Sequence, residues 1–229
     1  MAPPNQTGEE IVVFDLDGTL LNTAPDLVRA VNHVLEMTGG SPIDVNVMSP
    51  FISLGGRAMI KAGLEMCKLD SSDAQVEKLF PLFVAYYRKN IAIETQPFDG
   101  LIDELNRLEA LGYRLAVCTN KLEALALPLL KALELDERFH AITGRDTFPV
   151  YKPDPRHLLG TIARAGGDPT RAVMVGDSIT DVKTAKAAGI PVVGVTFGYS
   201  DVPIIELGCD AVISHYDQMP DALKELAKL

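Results

Sequence analysis

The sequence predicts an α/β protein: a Rossmann-like core on a parallel sheet, with a small α-helical cap domain inserted after the first strand. Three observations predict it. Short continuous apolar runs recur at Ile11–Phe14, Arg114–Cys118, Ala172–Val175 and Pro191–Val195, each fitting a strand buried on both faces. Helical patterns separate these runs from about residue 100 onward, the alternation that a parallel sheet with crossover helices requires. Between residues 21 and 95, by contrast, helical stripes follow one another and strand signals are nearly absent.

Taken in order, Ile11-Val-Val-Phe14 is the first strand, and residues 1–9 before it read as a frayed tail. Leu27, Val31, Val34 and Leu35 form one helical stripe, and Val76, Leu79, Phe80, Phe83, Val84 and Tyr87 form another. Pro25 at one junction, and Pro97 with Gly100 at the other, punctuate the passage between the two regions. Leu101, Leu105, Leu108 and Leu111 share a helical face ahead of the strand ending at Cys118. Phe139–Thr143 and Ala211–Ile213 are further strand candidates. Val182, Ala185 and Ala188 make a narrow face of small side chains suited to close packing on a sheet. The expected division is therefore 1–20 plus 96–229 for a discontinuous core and 21–95 for the cap.

Composition narrows the function. The chain has 229 residues, is 47% hydrophobic and 23% charged, and carries a formal net charge of -10, an ordinary globular balance with ample material for a core. The acidic surplus argues against nucleic acid and anionic membrane surfaces, which are held by Lys and Arg patches. No run of about eighteen apolar residues is present to span a bilayer. The start of the chain lacks the basic and apolar regions of a signal peptide. Cys67, Cys118 and Cys209 are far apart, odd in number and outside any CxxC, so a reducing, cytoplasmic compartment is expected.

The chemistry concentrates at strand ends. Asp15-Leu-Asp17-Gly18-Thr19-Leu20 directly follows the first strand, where ligands of doubly wound sheets bind. Asp15 and Asp17 can face one pocket, Gly18 permits a sharp turn and close backbone approach, and Thr19 adds a hydroxyl. Paired carboxylates suit divided labour, one nucleophile and one general acid/base. A lone DxD would read as an acidic turn before a helix. Gly176-Asp177-Ser178-Ile-Thr-Asp181 again puts acids after a buried strand, and oxygen ligands there suit a hard divalent cation, Mg2+ above all. Alone it would equally well be a helix cap. Thr119-Asn120-Lys121 follows the strand ending at Cys118, and Lys152 precedes Pro153-Asp-Pro155; each taken singly is ordinary surface or capping chemistry.

Together and in this order, the four segments resemble the haloacid dehalogenase-like superfamily of phosphohydrolases, over essentially the whole chain. Leu20-Leu-Asn22-Thr-Ala24-Pro25-Asp26-Leu27 is similar to the segment after the nucleophile in phosphoglycolate phosphatases and their near relatives. The resemblance implies a Mg2+-dependent phosphomonoesterase acting through an aspartyl-phosphate on a small phosphorylated metabolite, 2-phosphoglycolate first. It implies Asp15 as nucleophile and Asp17 as acid/base. Thr119 and the Asn120 amide would hold phosphate oxygens, together with Gly18 and Thr19. Lys152 would neutralise the phosphate and orient Asp15. Asp15, the Asp17 carbonyl and Asp177 would hold Mg2+, with Ser178 and Asp181 in support. Mg2+ and Lys152 would set three positive charges against about three negative ones, so that a carboxylate can approach a phosphoester.

Within the cap, Gly55-Gly56-Arg57 precedes a helix. Free amides there could meet an anion and Arg57 could grip a carboxylate, although Arg57 and Lys61 also read as a solvated helix face. His33, His140, His157 and His215 lack metal-ligand spacing, and Cys118 reads as a buried thiol. Alternatives are a β-phosphoglucomutase-like mutase or a pyrophosphatase on the same residues. From another class comes a phospho-accepting receiver module, disfavoured by chain length and by the second Asp of the pair.

Overall fold

The computed structural model describes residues 9–226. The first strand, β1 (Glu9–Phe14), is followed by a short strand β2 (Leu21–Asn22), then α1 (Ala24–Met37), α2 (Val45–Met48), a 3-10 turn at Ser49–Leu54, α3 (Gly56–Met66), α4 (Asp73–Lys89) and a second short strand, β3 (Gln96–Pro97). Strands and helices then alternate: α5 (Leu101–Ala110), β4 (Arg114–Cys118), α6 (Glu123–Ala132), β5 (Ala141–Thr143), α7 (Pro155–Arg164), β6 (Gly167–Gly176), α8 (Ile179–Ala188), β7 (Val192–Val195), β8 (Ala211–Ile213) and α9 (Met219–Leu226).

Six strands form one parallel sheet in the order β5-β4-β1-β6-β7-β8. The sheet therefore runs outward in both directions from β1, and the topological switch point lies between β1 and β6. The apolar run of β1 follows from its place at the centre. Val12 and Phe14 enter the cluster under α5, α6 and α9, while Ile11 and Val13 enter the one under α7 and α8. Both faces are covered, so neither tolerates a polar residue. Val182 and Ala185 of α8 pack into the second cluster, and their small size lets the helix lie close to the sheet.

The helices between β2 and β3 bury a separate apolar cluster. Val28, Val31 and Leu35 of α1 meet Ile60 and Leu64 of α3 and Leu79, Phe83 and Tyr87 of α4, and Leu125 of α6 joins them from the core. Pro25 lies in the first turn of α1, where the helix needs no N–H from it. The ribbon of β2 and β3 is antiparallel, with Leu21 opposite Pro97 and Asn22 opposite Gln96, so the chain leaves and re-enters the core side by side. Asp26 reinforces this junction: its carboxylate accepts the Thr95 amide (2.9 Å), the Thr95 hydroxyl (2.7 Å) and the Glu94 amide (3.1 Å), and pairs with Arg29.

Three expectations need correction. Glu9 is not tail but the first residue of β1, opposite Gly167 and ion-paired with Arg114; the other residues assigned to the tail, 1–8, lie outside the described residues. Leu111 is exposed as the C-cap of α5, because the three-residue step from Leu108 carries it off the buried face of the helix. The strand expected from Phe139 begins at Ala141, because a 3-10 turn at Asp136–Arg138 ends against Phe139. Among the described residues, no helix is long and apolar enough to cross a membrane.

Candidate active site

Asp15 and Asp17 leave the end of β1, Thr119 and Asn120 leave β4, Lys152 precedes α7, and Asp177 and Ser178 leave β6, so the sheet brings every core residue of the sequence reading to one edge. They line a cavity of about 130 Å³, closed on its far side by Ile52, Gly55, Gly56, Arg57, Phe80 and Phe83 of the helical layer.

Lys152 is the hub. Its buried ammonium lies 2.9 Å from Asp15 Oδ1 and 2.6 Å from Asp181 Oδ1. Burial works against this charge, but the Asp15 and Asp181 carboxylates more than offset it, so the lysine pKa lies above its ordinary value. Asp181 is fully committed: Oδ2 accepts the Ser178 amide (3.1 Å) and hydroxyl (2.6 Å), and Ser178 Oγ accepts the Asp181 amide in return. This capping box opens α8, so the bland reading of the segment as a helix cap also holds. Asn120 Nδ2 donates to the Lys152 carbonyl (3.0 Å), and the Lys152 amide donates to His157 Nδ1 (3.2 Å). Burial, followed by the charge of Lys152, lowers the His157 pKa to about 4, so the ring stays a neutral acceptor.

Asp177 Oδ2 accepts the Tyr199 amide (2.7 Å) and Oδ1 the Thr19 hydroxyl (3.3 Å). Gly18, at φ +83°, shows why the turn needs glycine: a Cβ there would lie 2.4 Å from Asp177 Oδ2. Thr119 is buried and accepts the Lys121 amide (3.1 Å). Burial raises the Asp15 carboxyl to about 6; Lys152 opposes this, and Asp181 and Asp17 reinforce it. Burial and the neighbouring Asp181 and Asp15 likewise raise Asp177 well above the usual carboxylate range.

The residues fit a divalent cation. Oxygens of Asp15, Asp177 and Asp181 lie within 4.8 Å of one another. All the donors are hard oxygens, which suits Mg2+ better than a soft metal. Four carboxyl groups, Asp15, Asp17, Asp177 and Asp181, crowd two buried ammonium groups, Lys152 and Lys121, an acidic excess that a divalent ion would offset. With Asp181 engaged by Lys152 and Ser178, Asp15 and Asp177 are the carboxylates with capacity to spare.

Four residues carry more of the site than the sequence reading gave them. Lys121 holds Asp17 Oδ1 at 2.8 Å and lies over the Tyr87 ring of α4, 4.5 Å from its centroid. Tyr199 ties Asp177 to the ribbon, its hydroxyl donating to Asn22 Oδ1 (2.7 Å). Arg145, just beyond β5, lines the cavity. Lys121 was within reach of the sequence, being next to Asn120, and Arg145 follows a flagged strand; nothing local marked Tyr87 or Tyr199. Arg57 lines the cavity, but its guanidinium forks onto Glu77 at 2.6 and 3.1 Å and lies over the Phe80 ring. Lys61 pairs with Asp73 on the surface. Among the four histidines only His157 touches the site, and burial pushes the Cys118 thiol up to about 11, which makes it inert.

Residues 12–195 match the model of haloacid dehalogenase-like hydrolases. The chain is 45% identical to the phosphoglycolate phosphatase of Agrobacterium fabrum, across 94% of this chain and 92% of that one. It is 48% identical to that of Mesorhizobium japonicum, across 94% and 95%. Among solved structures, a predicted phosphoglycolate phosphatase from Haemophilus somnus superposes with a TM-score of 0.86 at 27% identity, across 95% of this chain and 99% of that one. With the four strand-end segments gathered at one edge of a parallel sheet and a match across most of its length, the chain belongs to the haloacid dehalogenase-like hydrolases, as a phosphatase of that family.

Proposed function

We propose that the protein is a Mg2+-dependent phosphomonoesterase that hydrolyses 2-phosphoglycolate to glycolate and phosphate through an aspartyl-phosphate on Asp15. The observation that carries this reading is the Asp15 carboxylate held 2.9 Å from Lys152, beside Asp17 in one cavity. The names of the relatives support phosphoglycolate as the substrate.

In this account Asp15 attacks phosphorus in line with the departing ester oxygen. Lys152 fixes the direction of the Asp15 carboxylate and offsets phosphoryl charge, and Asp181, itself locked by Ser178, fixes Lys152. Thr119 accepts the Lys121 amide and keeps its hydroxyl proton to donate to a phosphoryl oxygen, with the Asn120 amide beside it. Gly18 and Thr19 let the backbone and the Asp177 carboxylate approach closely. Asp17 would enter the cycle protonated, give that proton to the leaving alkoxide and recover one from the attacking water, with Lys121 holding its Oδ1 in place. Asp15, the Asp17 carbonyl and Asp177 would hold the metal, whose positive charge stabilises the transferring phosphoryl group. At 4 Å one unit-charge repulsion costs about 1 kcal/mol in water and several times more in a drier pocket, so this charge matching is the main contribution of the site.

We further propose that residues 21–95 form a cap that closes over the substrate about the β2–β3 ribbon, shedding bulk water. Arg57 would reach the substrate only by exchanging Glu77 for it. Phosphate release from a panel of phosphorylated metabolites, with and without Mg2+, tests the reading. Turnover should be highest on 2-phosphoglycolate, vanish with chelator and return with Mg2+. Indifference to chelation would remove the metal from the account, and sugar isomerisation without net phosphate release would favour a mutase.

A further inference from the structure

We propose that Arg145 is a specificity-determining residue that binds a second anionic group, a carboxylate, on the leaving-group side of the substrate. The inference rests on the phosphoesterase reading of the cavity and comes from matching its charges. Four cationic side chains line the cavity: Arg57, Lys121, Arg145 and Lys152. Three already hold a carboxylate. Lys152 pairs with Asp15 and Asp181, Lys121 with Asp17, and Arg57 forks onto Glu77. Arg145 makes no ion pair with any described residue; its guanidinium lies over the Tyr151 ring, 3.9 Å from the centroid. Arg145 is half-buried and lines the cavity, and a guanidinium there with no carboxylate partner among the described residues is where an incoming anion gains most, because no ion pair has to be broken first.

The side chain is also fixed in advance. The Arg145 amide donates to the Lys121 carbonyl at 2.9 Å. Gly144 packs so closely on the loop after β4 that a Cβ would lie 2.2 Å from the Glu123 amide nitrogen, so the loops after β4 and β5 hold a set spacing. Stacking on Tyr151, the residue before Lys152, ties the guanidinium to the segment that carries the phosphate-binding lysine. Arg145 therefore belongs to the rigid core, and reads the substrate whatever the position of the helical layer. In 2-phosphoglycolate one methylene separates the ester oxygen from the carboxylate, so a carboxylate-binding group must lie on the wall of the same cavity as Lys152, as Arg145 does.

Steady-state kinetics of Arg145→Ala and Arg145→Lys, with Mg2+, on 2-phosphoglycolate and on p-nitrophenyl phosphate test this. The alanine variant should raise KM for phosphoglycolate about tenfold or more beyond any change for p-nitrophenyl phosphate, and lysine should recover part of that difference. Equal changes for the two esters, or none, would overturn the assignment. If alanine abolishes turnover of both esters through misfolding, Arg145→Gln, which keeps a planar hydrogen-bonding end on a shorter, uncharged side chain, decides by the same ratio. A wild-type protein that hydrolyses neither ester would overturn the phosphoesterase reading itself.

Discussion

In the α/β core, Lys152, Asp177 and Asp181 are no more than 2% exposed, whereas the helical layer of α1 to α4 buries one charged side chain, Asp26, among its described residues. The charges that α3 and α4 turn toward each other, Arg57 with Glu77 and Lys61 with Asp73, stay about half or more exposed. The core has thus taken titratable groups out of water and answers them with charged or hydrogen-bonding partners, while the layer buries mainly aliphatic and aromatic surface and, Asp26 apart, leaves its charges in solvent. A buried ion in a low-dielectric setting is strongly oriented by its partners and costly to leave unpaired. An exposed pair is worth little and exchanges readily. On the proposed function, the difference places bond-making and the Arg145 contact in the core and leaves closure to the layer.

The contrast can be broken most sharply at Lys152. Lys152→Met leaves Asp15 and Asp181 as uncompensated buried carboxylates, so stability should fall by about 3–5 kcal/mol in urea melts, and phosphate release should be lost. A variant of wild-type stability would mean that the buried charges are not structurally coupled. At the junction of the two regions, Asp26→Ala strands the Thr95 and Glu94 amides and should cost about 1–3 kcal/mol, with turnover reduced but not abolished. Complete inactivation of a folded variant would place chemistry in the layer. The smallest effect belongs to Arg57→Ala, which should change stability by less than about 0.5 kcal/mol and raise KM for phosphoglycolate by less than Arg145→Ala does. A larger rise than at Arg145 would show that Arg57 gives up Glu77 for the substrate.

Much of the core was legible in the sequence, because a strand buried on both faces writes itself as an uninterrupted apolar run and several site residues directly follow such runs. Asp15, Asp17, Thr119, Asn120 and Asp177 could be singled out because each lies at a strand end, whereas Lys152, in the loop before α7, and Asp181, inside α8, stood out only through the ordered set of four segments. What could not be read were contacts between segments distant in sequence. Lys121 with Asp17, Tyr199 with Asp177 and Asn22, and Asp26 with Thr95 depend on loops brought together only by the folded sheet and its ribbon. The layer was the less legible region for function: the pattern of α3 marked Arg57 as a candidate, but only the fold shows its fork on Glu77 and leaves Arg145, of the four cations lining the cavity, without a carboxylate partner among the described residues.

The central claim is that Asp15 at the end of β1 takes the phosphoryl group. Acid quenching of the protein during turnover of 2-phosphoglycolate with Mg2+, followed by peptide mass spectrometry, tests it directly. The account predicts one added phosphoryl group on the peptide containing Asp15, absent from Asp15→Asn, with that variant slowed on the order of 10⁴-fold or more. Sustained phosphate release by Asp15→Asn, or a phosphoryl group on any other residue, would contradict it.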